Sequence, residues 1–172
     1  MLSTKKLTTL ALLTTISLTI FIIELRIPAI VPIPGIKLGL ANIITVYSIY
    51  HFKVSEVSMI IFTRIFLGSI FSGNFMSIIF SLMGSFFCLI IMIILHKYIS
   101  KHFMYLTSAI GAIFHNLGQI TIAILITNTL APLAYLPILI LSGIITGLFT
   151  GICAQVLTKS LFNITKLLSL KE

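Results

Sequence analysis

The chain contains no aspartate, and its acidic residues are Glu24, Glu56 and Glu172 alone. Sites for magnesium or diphosphate need clustered carboxylates as oxygen ligands, so this absence excludes such chemistry for the chain by itself. Two cysteines, Cys88 and Cys153, stand apart inside apolar runs with no disulfide or zinc spacing. No HExxH motif, CxxC motif or phosphate-binding glycine loop is present. We therefore expect no catalytic residue, no metal ligand and no cofactor.

Charge of either sign is scarce. Charged residues make up 8% of the sequence and hydrophobic residues 59%, and the mean hydropathy is +1.23. A soluble domain would carry about 25% charged residues. These values predict an integral membrane protein in contact with the lipid bilayer. The net charge of +8 then reflects lysines near lipid headgroups, and we expect no nucleic-acid partner.

Six apolar runs predict an all-α membrane protein, a bundle of six transmembrane helices in a single domain over residues 1–172. The runs cover residues 7–23, 38–50, 54–71, 75–95, 104–127 and 133–156. The second run is short for a span of about 20 residues. We expect it to be tilted, or extended by irregular backbone that is buried against protein.

A proline-rich loop is predicted between the first two helices, at residues 24–37. Pro28, Pro32, Pro34 and Gly35 cannot continue a helix. Because the loop is mostly apolar, we expect it to fold back over the mouth of the bundle.

The basic residues predict the orientation. Six spans place both termini on one side. That side would hold Lys5, Lys6, Lys53, Lys97, Lys101, Lys159, Lys166 and Lys171, and the other side Arg26 and Lys37. By the positive-inside rule both termini are cytoplasmic, and the plasma membrane is the expected location.

Three polar side chains interrupt the fifth run. His115 and Gln119 are one helical turn apart, and Asn116 and Gln119 are three residues apart, so all three project from nearly one face. Unsatisfied polar groups cost several kcal/mol in hydrocarbon. This face must therefore contact protein, water or a ligand.

Other polar residues are expected at a similar depth. Arg64 lies about 15 Å from the cytoplasmic start of the third run, near the level of His115. Asn42 belongs to the outer half of the second run, and Lys37 and Asn74 to the outer mouth. Together they predict a pocket that opens outward and binds a small solute.

A central arginine is costly in a membrane, at about 2.5 to 3.5 kcal/mol, and needs an acceptor. For Arg64 the candidates are Glu24, Gln119, backbone carbonyls or an anionic ligand. A buried bridge to Glu24 and a contact with a ligand anion both remain open.

Small residues form two ridges that permit close helix packing. One comprises Ala11, Thr15 and Thr19, and the other Gly143, Gly147 and Gly151. Packing within the bundle and docking of a partner helix are alternatives for both ridges.

Four stretches resemble a known family. They are ELRIPAIVPIPGIKLGLANI (24–43), RIFLGSIFSGNF (64–75), GAIFHNLGQ (111–119) and YLP…SGIITGLFTG (135–151). They are similar to the Gx transporter family, also named heptaprenyl diphosphate synthase component I. The six-helix plan also resembles the substrate-binding (S) components of energy-coupling factor vitamin transporters.

That resemblance implies an outward pocket for a small, anionic or vitamin-like solute, roofed by the first loop. It also implies a first helix that docks to a transmembrane coupling subunit with two ATPases. Ala11, Thr15 and Thr19 only approximate the alanine pattern of that surface. The synthase name implies instead a non-catalytic accessory role in isoprenoid or quinone biosynthesis.

Overall fold

The computed structural model describes residues 3–27 and 39–169, with side chains as far as Leu161. The prolines of the predicted loop, Gly35 and Lys37 lie outside the described residues. Within them the secondary structure is helical. The α-helices are α1 (Thr4–Arg26), α2 (Asn42–Ile49), α3 (Val54–Ser72), α4 (Met76–Tyr98), α5 (Met104–Thr127) and α6 (Leu136–Ser169). Short 3-10 helices, Lys101–Phe103 and Ala131–Tyr135, precede α5 and α6.

Five of these helices are long and apolar enough to cross a membrane, and α2 is the exception. Its 8 residues extend for about 12 Å, less than half of a hydrocarbon core of about 30 Å. The prediction of a helical membrane protein is confirmed, whereas a full span at residues 38–50 is not observed. α2 is preceded by non-helical backbone, in which Gly39 adopts a positive φ of 68°.

Local sequence explains several helix ends. The Ser3 hydroxyl accepts a hydrogen bond from the Lys6 amide, as an N-cap does. α3 ends at Gly73, where φ is +66° and a side chain would be strained. α5 ends at Asn128, whose φ of 51° lies in the left-handed region that asparagine tolerates better than most residues.

The helices run in alternating directions, so the start of α1, the end of α2, the start of α3 and the end of α4 lie at the same end of the bundle. Lys6 in α1 forms an ion pair with Glu56 in α3, at 2.7 Å. At the same end, the ring of Tyr50, after α2, packs edge-on against His96 in α4. The same end also holds Lys53, just before α3, Lys97, in the last turn of α4, and Lys101, which starts the 3-10 helix before α5. α1 ends at the opposite end of the bundle, whereas α2 starts between the two ends, because its first residue, Asn42, bonds to Arg64 in the middle of α3.

The glycine ridge of α6 packs inside the bundle. Gly143, Gly147 and Gly151 are buried against α5. A Cβ atom on Gly147 would lie 2.6 Å from the Cα atom of Ala109 and 2.9 Å from the Ser108 carbonyl oxygen. The expectation that this ridge docks a partner helix is therefore wrong, because the backbone of α5 already occupies the ridge.

The threonine ridge of α1 has the opposite environment. Ala11, Thr15 and Thr19 are exposed, and the Thr15 hydroxyl donates back to the Ala11 carbonyl at 2.9 Å. α1 buries other positions, among them Leu10 and Leu13. Packing of the threonine ridge within the bundle is thus excluded, and its docking to a partner stays a prediction.

We expect Gly147→Leu to destabilise the protein by at least the roughly 1–3 kcal/mol of an overpacked core, because the backbone of α5 cannot move aside as a side chain can. Thermal unfolding in detergent should show a lower Tm. The matched control, Ala11→Leu, adds similar bulk to an exposed position and should leave the Tm nearly unchanged. Equal losses in the two variants would contradict the assignment of the glycine ridge.

Candidate functional site

A cavity of about 110 Å³ lies among the six α-helices, toward the end of the bundle where α1 stops. Each of the six α-helices contributes at least one lining residue. The polar lining residues are Glu24, Asn42, Arg64, Ser69, Ser77, Ser81, Ser85, His115, Asn116, Gln119 and Thr146. In a chain this apolar, such a concentration of polar groups marks the cavity as the candidate site.

Arg64 occupies the wall of the cavity that α3 provides. Its side chain is buried, with 7% of its surface exposed, and it points inward, away from lipid. The guanidinium donates from Nη1 to the Oδ1 atom of Asn42 at 3.1 Å. Asn42 is the first residue of α2, so the short helix delivers an acceptor to the depth of the arginine. Sequence reasoning did not foresee this pairing, because the two residues are far apart in the chain.

Glu24 also lines the cavity, but it does not bridge to Arg64. Its carboxylate accepts hydrogen bonds from the backbone amides of Gly39 (2.5 Å) and Leu40 (3.1 Å). These bonds fasten the end of α1 to the backbone that enters α2. Of the two alternatives left open for Arg64, the bridge to Glu24 is therefore not formed; Lys6–Glu56 is the salt bridge found among the described residues.

The polar trio of α5 reaches the cavity together, but its members differ in their bonding. The Asn116 amide donates to the Leu139 carbonyl of α6 at 2.6 Å, which ties the two helices. His115 packs against Gly84 of α4, where a Cβ atom would lie 2.9 Å from the imidazole. The Oε1 atom of Gln119 is buried and accepts no hydrogen bond from the described part of the protein. Gln119 thus has acceptor capacity left for a ligand.

Two predicted site residues are not placed at the cavity. Lys37 lies outside the described residues. Asn74 is not among the lining residues found in the described ranges, and it has a local role. Its Oδ1 atom accepts from the Ser77 amide at 3.2 Å, and its carbonyl accepts from the Ser77 hydroxyl at 2.6 Å. Asn74 therefore caps the first turn of α4, and its prediction as a substrate contact is not supported.

The polar lining residues that sequence reasoning missed are four serines and Thr146 of α6. Ser77, Ser81 and Ser85 recur every four residues along α4, and Ser69 lies on α3. The spacing of four places the first three on one face of a helix. This small polar stripe was the available signal, but serine is common in transmembrane helices and attracts less attention than arginine.

The polar cavity continues into a narrower one of about 20 Å³, which Asn42, Ala112 and Thr146 also line. The hydroxyls of Ser108 and Thr150 bond across it at 3.0 Å. The Thr45 hydroxyl is buried without a hydrogen-bond partner in the described structure. The space suits an ordered water, which would satisfy that group.

Chemically, the site offers hydrogen bonds and one fixed positive charge. Across the described part of the chain, no three His, Cys, Asp or Glu side chains gather as metal ligands. The guanidinium suits a carboxylate or phosphate, and the Gln119 oxygen suits a donor.

A family model named heptaprenyl diphosphate synthase component I matches residues 13–157. The chain belongs to this family. The match covers both the cavity residues and most of the bundle, and it confirms the family named from the sequence motifs. Comparisons with curated proteins and with solved structures found no match.

Membership of this family has consequences for the catalytic activity and the partners of the chain. The family is a component I and not a synthase itself, which agrees with the expectation that this chain alone is not an enzyme. The name implies a partner synthase component.

We expect Asn42→Leu to lower the stability of the protein by about 1–3 kcal/mol, because it leaves a buried guanidinium without its acceptor. The double variant Asn42→Leu/Arg64→Met removes both polar partners and should recover most of that loss. Thermal unfolding of the three proteins in one detergent provides the comparison. A double variant no more stable than Asn42→Leu would show that the hydrogen bond does not account for the loss.

Proposed function

We propose that this chain is a membrane-embedded binding protein, similar to a transporter S component, for a small solute that carries an anionic group. The observation that carries the proposal is Arg64, a buried cation that lines a polar cavity and forms no salt bridge with Glu24 or Glu56. Its hydrogen bond to Asn42 satisfies one of the five guanidinium N–H groups. Its other N–H groups donate to no acceptor among the described residues, and a planar fork of this kind matches a carboxylate or phosphate, which can accept two parallel bonds.

The other cavity groups refine the ligand. Gln119 has a buried acceptor oxygen, and Glu24 uses its two oxygens for two backbone amides, although a carboxylate has about four acceptor positions. The ligand therefore needs a hydrogen-bond donor as well as its anion. A volume of about 110 Å³ is below the roughly 300–1,000 Å³ of pockets for drug-sized molecules, so the enclosed part of the ligand is small.

The orientation follows from the lysines. Lys6, Lys53, Lys97 and Lys101 belong to the end of the bundle remote from the Glu24–Gly39 contact. With that basic end in the cytoplasm of a cell bounded by the plasma membrane, the cavity faces outward. This is the side from which a solute would be captured.

Transport would need an energy source, and the exposed threonine ridge is our candidate surface for it. Ala11, Thr15 and Thr19 present small side chains on α1 that allow a second helix to approach closely. The proposed partner is a transmembrane coupling subunit with ATPases.

The family name favours a second function, that of a non-catalytic membrane accessory to a prenyl diphosphate synthase. The two functions predict different partners. Affinity purification that recovers a membrane subunit with ATPases supports transport, whereas recovery of a soluble synthase subunit supports the accessory role.

Topology provides one test. In a background with Cys88→Ala and Cys153→Ala, a cysteine at Ser72 should react with an impermeant maleimide in intact cells, because the α3–α4 turn is outside. The matched probe, Lys101→Cys, lies at the other end of the bundle and should react only after lysis. The reverse pattern would contradict the outward-facing cavity.

Binding provides the decisive test. Arg64→Ala should abolish retention of the natural ligand, read as the loss of a co-purifying small molecule in native mass spectra. Arg64→Lys should recover only part of it, because lysine lacks the planar fork. Lys97→Ala removes a cation remote from the cavity and should behave as the wild type.

Equal ligand occupancy in wild type and in a folded Arg64→Ala protein would end the proposal. Size-exclusion profiles and Tm values establish that each variant is folded.

A further inference from the structure

A second depression, larger and almost wholly apolar, lies on the flank of the bundle between α3 and α4. Its volume is about 550 Å³. Its apolar lining includes Ile61, Phe62, Leu82, Phe86, Leu89 and Ile122. Phe62 and Phe86 are more than half exposed, so the depression opens sideways, to the lipid and not to the aqueous mouth. We call it the α3–α4 groove.

The groove adjoins the polar cavity. Ser85, which is 7% exposed, lines both. On α3, Ile61 of the groove is one turn from Ile65 of the cavity, and on α5 Ile122 of the groove is three residues from Gln119. α3, α4 and α5 thus contribute to both spaces, and Ser85, whose side chain is small, is the residue that the two linings share.

The two spaces differ in ways that complement each other. The cavity is small and contains the fixed cation, whereas the groove has about five times its volume and lacks polar groups apart from Ser58 and Ser85. On α4 the groove runs from Ile79 to Leu89, a length of about 15 Å. An elongated hydrocarbon chain fits this shape, and a compact polar solute does not.

The bilayer sets how much the groove can contribute. Lipid tails are as apolar as leucine, so a chain gains little from the groove over the membrane itself. Selection of one molecule among many lipids must then come from its head at Arg64. The groove gives that molecule a route from the membrane and holds its tail at a fixed place.

We propose that the ligand is an amphiphile, whose anionic head binds at Arg64 and whose single apolar chain passes Ser85 into the α3–α4 groove. The inference rests on the proposed function, since it needs Arg64 to be the anion site. It adds that the ligand enters from the lipid phase. It also assigns Leu82 and Phe86 to the wall that holds the chain in place.

The test uses the full chain in nanodiscs of zwitterionic lipid. Dodecyl phosphate and butyl phosphate serve as probes with the same head and different tails, and dodecanol as a probe with the tail alone. Native mass spectrometry counts molecules bound per protein, with empty nanodiscs as the blank. We expect one molecule of dodecyl phosphate to bind per protein chain. The affinity for butyl phosphate should be at least about tenfold lower, and dodecanol should not bind stoichiometrically.

Groove variants separate the tail from the head. Leu82→Trp fills the groove. It should lower the affinity for dodecyl phosphate by about tenfold and leave the affinity for butyl phosphate unchanged. Ile90→Trp adds the same ring to an exposed position of α4 outside the groove and should match wild type. Leu82→Phe gives a milder filling if Leu82→Trp does not fold. The Arg64→Ala variant should bind neither dodecyl phosphate nor butyl phosphate.

Each failure has its own pattern. Equal affinity for the two phosphates, both dependent on Arg64, overturns the amphiphile but leaves the anion site intact. Binding of dodecyl phosphate that is insensitive to Arg64→Ala means that the groove holds bilayer lipid only, and it overturns the inference. If neither phosphate nor the matching carboxylates, dodecanoate and butanoate, bind to wild type, both the inference and the proposed function fail.

Discussion

The fold depends on one constraint, the need to keep a guanidinium inside an apolar bundle. Arg64 finds its acceptor in Asn42, and Asn42 can reach it only because α2 begins at that depth. The amides of Gly39 and Leu40, just before α2, then lie within the bundle without helical hydrogen bonds, which membrane proteins tolerate only where protein satisfies the free groups. The Glu24 carboxylate does so for the amides of Gly39 and Leu40. A buried cation, a short helix and a buried carboxylate are thus parts of one arrangement.

The rest of the bundle divides into a tightly packed side and an open side. α5 and α6 are in backbone contact along Gly143, Gly147 and Gly151, and the Asn116–Leu139 hydrogen bond links them near the cavity. α4 joins them closely where Gly118 meets the backbone of Met83. Between α3 and α4 the packing is loose enough to leave the groove. The rigid side fixes the polar groups of α5, whereas the open side leaves access from the membrane.

The sequence predicted the parts of this structure that depend on local composition. Hydropathy located the five long helices, and the helical spacing placed His115, Asn116 and Gln119 together at one cavity. It could not predict the partners of Arg64, Glu24 and Asn116, because each partner is distant in the chain. The two small-residue ridges look alike as patterns. They differ in their neighbours. The glycine ridge of α6 packs against the backbone of α5, whereas no described element covers the threonine ridge of α1.

The transport and accessory functions disagree less than their names suggest. Each needs a membrane protein that recognises one molecule, and neither asks the chain to provide the carboxylates that magnesium requires. An anionic head with an apolar tail is the kind of molecule that a synthase of prenyl diphosphates makes, and it is equally a solute that a membrane protein would have to take from lipid. The cavity and the groove therefore bear on the ligand in both cases. What separates the functions is the partner. The surface that we propose for a coupling subunit is the exposed face of α1, where small side chains leave room for a helix but carry no charge to specify which one.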